Sequence, residues 1–264
     1  MPAANTSVPE SRTITTTWHA TYRLPVQIIE KDASGTALRQ TDTVYDDKGN
    51  KTSQTIRDLI ANTTRTTTWT YSYNPAVPGA VDRLIITGPR TDIADVGTID
   101  YWPADAQCPG SGVGYDKGCR GQIKQITNAL GQITQYTRYN PHGQVEQSID
   151  PNGVITEQQY DLRQRLTQRS ISGGGSTQTT AYQYDGVGQL TQITQPDGSR
   201  INYVYDPAHR LTSISDSAGN RIDYTLDAMG NRINEAKSDP NGQLTQSIAR
   251  SIDALNRVQS VVGQ

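Results

Sequence analysis

The chain has 264 residues, of which 33% are hydrophobic, with 14 tyrosines and no phenylalanine. Its formal net charge of −2 excludes a broad basic surface for nucleic acid or anionic lipid. No apolar run is long enough to span a bilayer, so no membrane span is predicted. This polar composition suits a sheet with one buried face and one face rich in Thr, Gln and Ser.

The N-terminal part of the chain is predicted to begin with a disordered segment and to continue with strands. Residues 1–15 are rich in Ser, Thr and Pro and are predicted to be a disordered segment. Residues 1–5 lack the charged and apolar regions of a signal peptide, so we expect any export to be directed by something outside this sequence. In residues 16–29, apolar and aromatic side chains alternate with polar ones, which predicts a strand, and residues 32–35 are its turn.

Residues 16–110 as a whole read as degenerate β-hairpins. Further strands are predicted at about 38–44, 63–73 and 84–87, separated by Gly, Pro and Asn clusters. No part of the sequence predicts a helix. The step from Tyr45 to Tyr73 is 73 − 45 = 28 residues, longer than the period found later in the chain.

Two cysteines, Cys108 and Cys119, bracket a glycine-rich loop that interrupts the strands. A disulfide between them would close an 11-residue step and contribute roughly 2–3 kcal/mol. Free thiols in a reducing compartment are the other structural possibility. A metal or redox site is disfavoured, because metal sites need more ligands than two cysteines and the spacing is not Cys-x-x-Cys.

Residues 111–264 contain a regular internal repeat. A segment that begins at Tyr184-Asp185 starts again at Tyr205-Asp206 and then at Leu226-Asp227, so the period is 205 − 184 = 21 and 226 − 205 = 21 residues. A fixed period in this range is typical of a supersecondary unit stacked many times. The step from Tyr160 to Tyr184 is 24 residues, which we attribute to a hairpin loop lengthened by Gly173-Gly174-Gly175.

Each repeat is predicted to be a β-hairpin. Its second half alternates, with Ile201, Tyr203 and Tyr205 on one apolar face. Its first half has apolar residues three apart, which indicates a strand with a bulge. Gly198 and Gly219 supply the positive φ of the hairpin turns, and the aspartate after each repeat tyrosine is expected to accept hydrogen bonds from backbone N–H groups downstream.

The predicted structural positions of the repeat share one role, which is to form its turns and its apolar face. They are Tyr115, Asp116, Tyr139, Tyr160, Asp161, Tyr184, Asp185, Gly188, Gly198, Tyr203, Tyr205, Asp206, Gly219, Tyr224, Asp227 and Gly230. The fold class is therefore predicted as all-β, built from repeated antiparallel hairpins in a strongly curved sheet, with most of the repeat tyrosines buried on one side.

This series resembles the YD-repeat or RHS-repeat family, which includes large bacterial polymorphic toxins, insecticidal toxin complexes and the extracellular part of animal teneurins. The resemblance is strong over residues 115–264 and weak over 16–110. It implies a strip of β-sheet that spirals into a hollow shell or barrel around a toxin polypeptide of the same parent protein. It also implies a secreted or secretion-system-delivered bacterial protein that acts in competition between bacteria, with a structural role, no enzymatic activity and no cofactor.

The family's conserved core, which closes the shell and releases the toxin by an aspartyl-type self-cleavage, is not seen in this sequence. The Asp-Pro-Asn-Gly runs at 150–153 and 239–242 sit at hairpin-turn positions, so they are predicted to be turns. We therefore expect the chain to be an internal piece of a longer protein, incomplete at its C-terminus. Its open strand edges predict self-association.

Catalytic, calcium-binding and sugar-binding roles for individual residues are less well supported by the sequence. His142 and His209 are taken to occupy the same turn position and are expected to be solvated rather than catalytic. The repeated aspartates could form a calcium ladder, but turn capping is favoured because the calcium-binding nonapeptide has a shorter period and paired glycines. Aromatic residues such as Trp18, Trp69 and Trp102 could stack on sugars, which leaves a cell-surface carbohydrate- or protein-binding module as the alternative function.

Overall fold

The computed structural model describes residues 12–110 and 114–263, and most of the predicted disordered segment, 1–15, lies outside this range. The first strand begins at Thr13, inside the last residues of that segment. The described residues form twenty strands and no helix, so none of their elements is a helix able to cross a membrane. The all-β prediction is confirmed.

The chain divides into two compact units, Met1–Asn152 and Gly153–Gln264. The strands of the first unit are β1 Thr13–Trp18, β2 Pro25–Lys31, β3 Ala37–Tyr45, β4 Lys51–Asp58, β5 Thr63–Tyr73, β6 Val81–Thr87, β7 Val96–Tyr101, β8 Ile123–Thr127, β9 Ile133–Tyr139 and β10 Val145–Ile149. The strands of the second unit are β11 Ile155–Tyr160, β12 Leu166–Gly173, β13 Ser176–Tyr184, β14 Leu190–Thr194, β15 Arg200–Tyr205, β16 Leu211–Asp216, β17 Arg221–Leu226, β18 Arg232–Ser238, β19 Leu244–Ile252 and β20 Val258–Gly263.

Within each unit, each strand pairs antiparallel with the strand that follows it in sequence. In the described residues, the strands of a unit contact only their sequence neighbours. Such an arrangement is quasi-one-dimensional, because each repeat is held by its nearest neighbours alone.

The two faces of the sheet differ in chemistry. Ile193 pairs with Ile201, and Ile214 pairs with both Tyr203 and Ile222, so apolar side chains cross β14 to β17 on one face. On the other face amides and hydroxyls bond to one another, for example Gln192 Nε2 donating to Asn202 Oδ1 at 2.8 Å. This is the alternation expected when the side-chain period of a strand is two residues.

Full burial is rare because no second layer of strands contacts these faces within a unit. Among the described hydrophobic residues, only Cys119 and Tyr139 are fully buried, at 0% and 3% exposure. The predicted apolar tyrosines Tyr184, Tyr205 and Tyr224 keep part of their surface accessible. Tyr136, Tyr160 and Tyr203, which were predicted to be mostly buried together with these three, are likewise partly exposed, and the fully buried Tyr139 was not part of that prediction.

The longer step between Tyr160 and Tyr184 has a different origin from the one predicted. Gly174 and Gly175 both have positive φ, at 59° and 83°, and form a two-residue turn between the paired residues Gly173 and Ser176. Two successive glycines permit this tight turn, whose twist matches that of the flanking strands. The extra residues therefore lie in β12 and β13, and the loop is shorter than in the other hairpins.

Candidate functional site: the Tyr-Asp junctions

A five-residue turn joins β15 to β16, and its first residue, Asp206, organises it. The Asp206 N–H donates to the Arg210 carbonyl, and the His209 N–H donates to the Asp206 carbonyl, both at 2.9 Å. Asp206 Oδ1 also accepts the N–H groups of Ala208 and Arg210, at 2.9 Å each. The carboxylate thus accepts hydrogen bonds from backbone N–H groups inside the turn, which have no partner in the strand ladder. We call this turn, together with the strand residues that flank it, a Tyr-Asp junction.

The same geometry recurs along the chain, as the sequence predicts for the aspartates of the repeat. The equivalent capping residues are Asp46, Asn140, Asp161, Asp185, Asp227 and Asp253. The hairpin turns at the opposite ends of the strands use the same loop, which the sequence analysis missed, with Asp32, Asn128, Asp216 and Asp239 as caps. The missed signal in these four turns is an Asp or Asn three residues before the turn glycine, whereas the turn of Gly198 has Gln195 at that position.

The fourth residue of the loop has positive φ. This position holds Gly188 at 104° and Gly230 at 90°, and it holds His209 at 64° in the junction between them. Glycine is favoured here because it adopts this conformation without a Cβ clash. The prediction that His142 and His209 share a turn position is wrong, because His142 is the third residue of its loop and Gly143 is the fourth.

The fifth residue links each junction to the next one. Arg210 Nε donates to Asp206 Oδ2 at 2.7 Å, and Arg210 Nη1 donates to the Asp227 carbonyl at 3.1 Å. In the preceding junction, Gln189 Nε2 donates to the His209 carbonyl at 2.8 Å. A row of side-chain bonds therefore connects consecutive turns along one edge of the sheet.

The repeat tyrosine ties several of the junctions to the preceding strand. Tyr205 Oη donates to the Leu190 carbonyl at 2.9 Å, beyond the point where the β14–β15 pairing stops at Gln192 and Asn202. The same bond is made by Tyr45 to Pro25, Tyr139 to Ile123 and Tyr184 to Leu166. In the β5–β6 hairpin, Tyr71, two residues before the strand-ending Tyr73, makes the bond to Lys51. The hydroxyl closes the open end of the hairpin and satisfies a carbonyl that the strand ladder leaves unpaired. Burial raises the pKa of Tyr139 to about 12.

A bulge follows each junction, as predicted from the three-residue apolar spacing. Tyr205 pairs with Leu211 while Val204 pairs with Ser213, so Thr212 is the extra residue. Its hydroxyl donates to the Val204 carbonyl at 3.2 Å. Thr52, Thr167 and Thr245 make the equivalent bond in other bulges, at 3.1–3.3 Å. Threonine therefore restores part of the bonding that the bulge removes from the ladder.

The capping carboxylates are stabilised in the charged form. For Asp206, the backbone N–H of Arg210 is the largest cause, and it lowers the pKa below the ordinary value. For Asp46, partial desolvation acts in the opposite direction, but bonds from Asn50, Lys48 and Tyr73 lower the pKa from 3.8 to about 2. A pKa lowered by folding contributes stability that is present above the unfolded value and is lost as the pH falls through the folded value. The Asp46 junction is therefore expected to weaken between about pH 4 and about pH 2.

Tyr115 and Asp116, predicted as a repeat pair, lie elsewhere. They belong to the long loop between β7 and β8, where Tyr115 Oη donates to Glu146 Oε1 at 2.9 Å and the Asp116 carbonyl accepts the Cys108 N–H at 3.1 Å. The strand-ending tyrosine of this repeat is Tyr101, which the sequence analysis did not assign because a 21-residue insertion separates it from its partner Ile123.

This insertion carries a disulfide between Cys108 and Cys119, whose Cα atoms are 5.5 Å apart. Gly118 packs so closely on the next junction that a Cβ there would lie 2.1 Å from the Asn140 carbonyl oxygen. The disulfide-closed loop therefore packs directly on the junction formed by Asn140, and only glycine fits at the contact.

The structure places the residues considered for metal and sugar binding in different surroundings. In the described ranges, no three His, Cys, Asp or Glu side chains cluster as metal ligands would. Trp18 is 60% exposed in β1, Trp69 is covered by the Lys51 ammonium 4.0 Å from its ring, and Trp102 Nε1 donates to the Tyr136 carbonyl at 3.2 Å. Aromatic contacts between these three tryptophans are absent from the described part of the chain.

Comparison with known proteins identifies the repeat. The RHS Repeat family model matches the chain at residues 120–155, 139–177, 160–200 and 205–244. A search of curated proteins found no match.

Solved structures were also compared. The TcdB2-TccC3-TEV crystal structure is similar over 90% of this chain, at 15% identity and a TM-score of 0.48. A Photorhabdus luminescens Tc holotoxin pore carrying a TccC3 mutation is similar over 91%, at 13% identity and a TM-score of 0.43. The chain spans only 14% and 16% of these two longer chains. At such scores these likenesses do not assign a function.

Proposed function

The chain carries RHS repeats across residues 120–244, and from that premise we propose that it is a segment of the wall of a repeat-built shell that encloses a toxin polypeptide of the same parent protein. A wall of this kind is a structural module and needs no catalytic group. It needs continuity from repeat to repeat and resistance to local opening, because an opened repeat would expose the enclosed chain.

The observation that carries this proposal is the linkage of the Tyr-Asp junction at Asp206 in three directions. Asp206 holds its own turn, the Tyr205 hydroxyl reaches back to the Leu190 carbonyl, and the Arg210 guanidinium reaches forward to the Asp227 carbonyl. This repeat is thereby bonded to the one before and the one after, in addition to the strand ladders, and Tyr184 and Gln189 make the corresponding bonds in the preceding junction. This local linkage supports a wall that can be extended by adding repeats, as in other repeat proteins.

The test uses the full-length parent protein and a version that lacks residues 184–225. This deletion removes two whole periods, 226 − 184 = 42 residues, and joins strands in the register that they already use. A parent carrying Val187→Ser, at a turn position 62% exposed, is the matched control. We expect the shortened wall to leave the toxin region more sensitive to protease and the producing cell less healthy. Equal protection and equal growth of the two versions would refute encapsulation.

A second function has one specific observation in its favour. Trp102, Tyr136 and Lys124 line a groove of about 280 Å³ together with Gln125 and Gln135. Aromatic rings beside amides and an ammonium are the groups with which proteins hold carbohydrates. A glycan screen of the chain, repeated with Lys124→Gln, tests this reading, and we expect binding that the substitution weakens if the groove is a sugar site. The absence of any glycan bound by the unsubstituted chain would remove it.

A further inference from the structure

The turn between β1 and β2 has the geometry of a Tyr-Asp junction, with a histidine in the place of the aspartate. The His19 N–H donates to the Leu24 carbonyl at 2.7 Å, which closes this loop as the corresponding bond of Asp206 closes the turn between β15 and β16. The penultimate residue of the loop, Arg23, has a φ of 51°, and the penultimate residues of other junctions also have positive φ. The loop is one residue longer than the others, and its cap is an imidazole.

The His19 ring accepts backbone hydrogen bonds, as a carboxylate does in the other junctions. Its Nδ1 accepts the N–H of Thr21 at 3.1 Å and the N–H of Tyr22 at 3.3 Å. A ring nitrogen accepts a hydrogen bond only when it carries no proton, so these two bonds require the neutral imidazole with its proton on Nε2. An imidazolium has a donor at each nitrogen and no acceptor. The cap is therefore present while the ring is neutral and is lost when the ring gains a proton.

The same loop is bonded to the junction that follows it, between β3 and β4. The Tyr22 ring stacks on the His19 ring with the ring centres 4.8 Å apart, and the Tyr22 hydroxyl donates to the Asp47 carbonyl. Gly49 of that junction lies against the Tyr22 ring, because a Cβ at Gly49 would be 3.5 Å from Tyr22 Cγ. Tyr45, which ends β3, meets the His19 ring edge-on at 6.4 Å. The conformation that the imidazole holds thus positions the contact between two consecutive junctions.

The groups around the ring do not supply a substitute for the acceptor that protonation removes. The two tyrosine rings attract a cation weakly, but they do not replace Nδ1 as the acceptor of the loop N–H groups. Arg23 adds a second positive charge to the loop of His19. The carboxylate of Asp47 pairs with Lys48 Nζ at 3.8 Å, and the ion pairs of the described residues include none to His19.

We propose that the His19 junction is a pH-sensitive latch, which is closed while the imidazole is neutral and opens when mildly acidic conditions protonate the ring. Opening releases residues 19–24 from the junction between β3 and β4. Histidine changes its charge between about pH 8 and about pH 5, whereas the pKa of the capping Asp46 is about 2. The carboxylate-capped junctions therefore stay closed where this one opens. The change is local, because each repeat is held by its nearest neighbours alone.

The test is hydrogen exchange of the whole chain followed by mass spectrometry, at about pH 7.5 and about pH 5, with rates corrected for the intrinsic effect of pH. We expect the protection of residues 19–24 to fall about tenfold at the lower pH, because two backbone N–H groups lose their acceptor. Residues 206–210 are the internal control, since this turn contains His209 but is capped by Asp206. Their protection is expected to stay unchanged.

Two substitutions assign the effect to the imidazole. His19→Asp supplies the cap that the other junctions use, and His19→Asn supplies an acceptor that does not titrate, so both variants are expected to keep their protection at the lower pH. Circular dichroism verifies that each variant is folded. Equal protection of residues 19–24 at both pH values in the unsubstituted chain overturns the proposal. So does a loss in either variant as large as that in the unsubstituted chain, or an equal loss at residues 206–210, because each would mean that something other than the His19 cap responds to pH.

Discussion

Replacing a turn glycine by alanine measures two separate effects in this fold, because Gly198 and Gly219 hold the same loop position in different surroundings. Their φ angles are 84° and 99°, a region that residues with a Cβ rarely adopt. Forcing alanine into it costs about 1–3 kcal/mol. The substitution also restricts the unfolded chain, which offsets about 0.4–1 kcal/mol of that cost. The net loss of stability expected for Gly198→Ala is therefore about 1–2 kcal/mol.

Gly219 has an additional constraint. A Cβ at Gly219 would lie 3.1 Å from the Pro240 Cα in the following hairpin turn, whereas a Cβ at Gly198 would have nothing within 4 Å. The backbone of Pro240 must shift to admit the Cβ at position 219. Crowding of this kind costs about 1 kcal/mol of additional folding stability. Gly219→Ala is therefore expected to be the more destabilising of the two.

The assay is urea unfolding followed by circular dichroism, with Ser199→Ala as a control that leaves backbone conformation unchanged. We expect the free energy of unfolding to fall most for Gly219→Ala, less for Gly198→Ala and least for Ser199→Ala. Equal unfolding midpoints for the two glycine variants would refute the close approach of Pro240. Equal midpoints for Gly198→Ala and Ser199→Ala would refute the positive φ of the turn.

Other substitutions and conditions test the Tyr-Asp junction itself. Tyr205→Phe should lower the free energy of unfolding by about 0.5–1.5 kcal/mol, because it leaves the Leu190 carbonyl unpaired. Tyr203→Phe is the control and should lower it by less, because the Tyr203 hydroxyl makes no hydrogen bond within the described residues. Asp206→Asn keeps an oxygen acceptor but removes the titrating group, so the variant should lose less melting temperature than the parent chain as the pH is lowered below about 4. An equal loss would contradict the lowered pKa of Asp206. Reduction of the bond between Cys108 and Cys119 should destabilise the first unit by roughly 2–3 kcal/mol, and an unchanged melting temperature in reductant would show that the loop is held by packing alone.

The elements that sequence could predict are those governed by neighbours in sequence. Alternation placed Ile201, Tyr203 and Tyr205 on one face, and the spacing of Leu211 and Ile214 indicated the bulge that the structure places at Thr212. Both features depend on side-chain periodicity within one strand. The capping aspartates were predictable for the same reason, since each bonds to N–H groups two to four residues downstream.

The contacts that sequence could not provide join residues about one repeat apart. The bond from Tyr205 to the Leu190 carbonyl and that from Arg210 to the Asp227 carbonyl depend on how far adjacent strands twist and on where their pairing stops. Tyr115 shows the opposite error, because a Tyr-Asp pair inside an insertion has the sequence of a junction without flanking strands. Only the pairing of Tyr101 with Ile123 reveals where that junction lies.

These differences indicate that the junction, and not the 21-residue period, is the unit that the chain repeats. Steps of 28, 38 and 24 residues begin at Tyr45, Tyr101 and Tyr160, from 73 − 45, 139 − 101 and 184 − 160, and each of these tyrosines still pairs in the same way across a bulge. A hairpin can lengthen at its far end through longer strands, because the bonds between repeats are concentrated at the junction end. The disulfide-closed insertion instead lengthens the junction loop itself, between Tyr101 and Ile123, and leaves the pairing of these two residues in place. Variation in hairpin length therefore costs little folding stability as long as the strand pairing at the junction keeps its register. A chain built in this way can vary the width of its sheet from repeat to repeat without breaking its continuity.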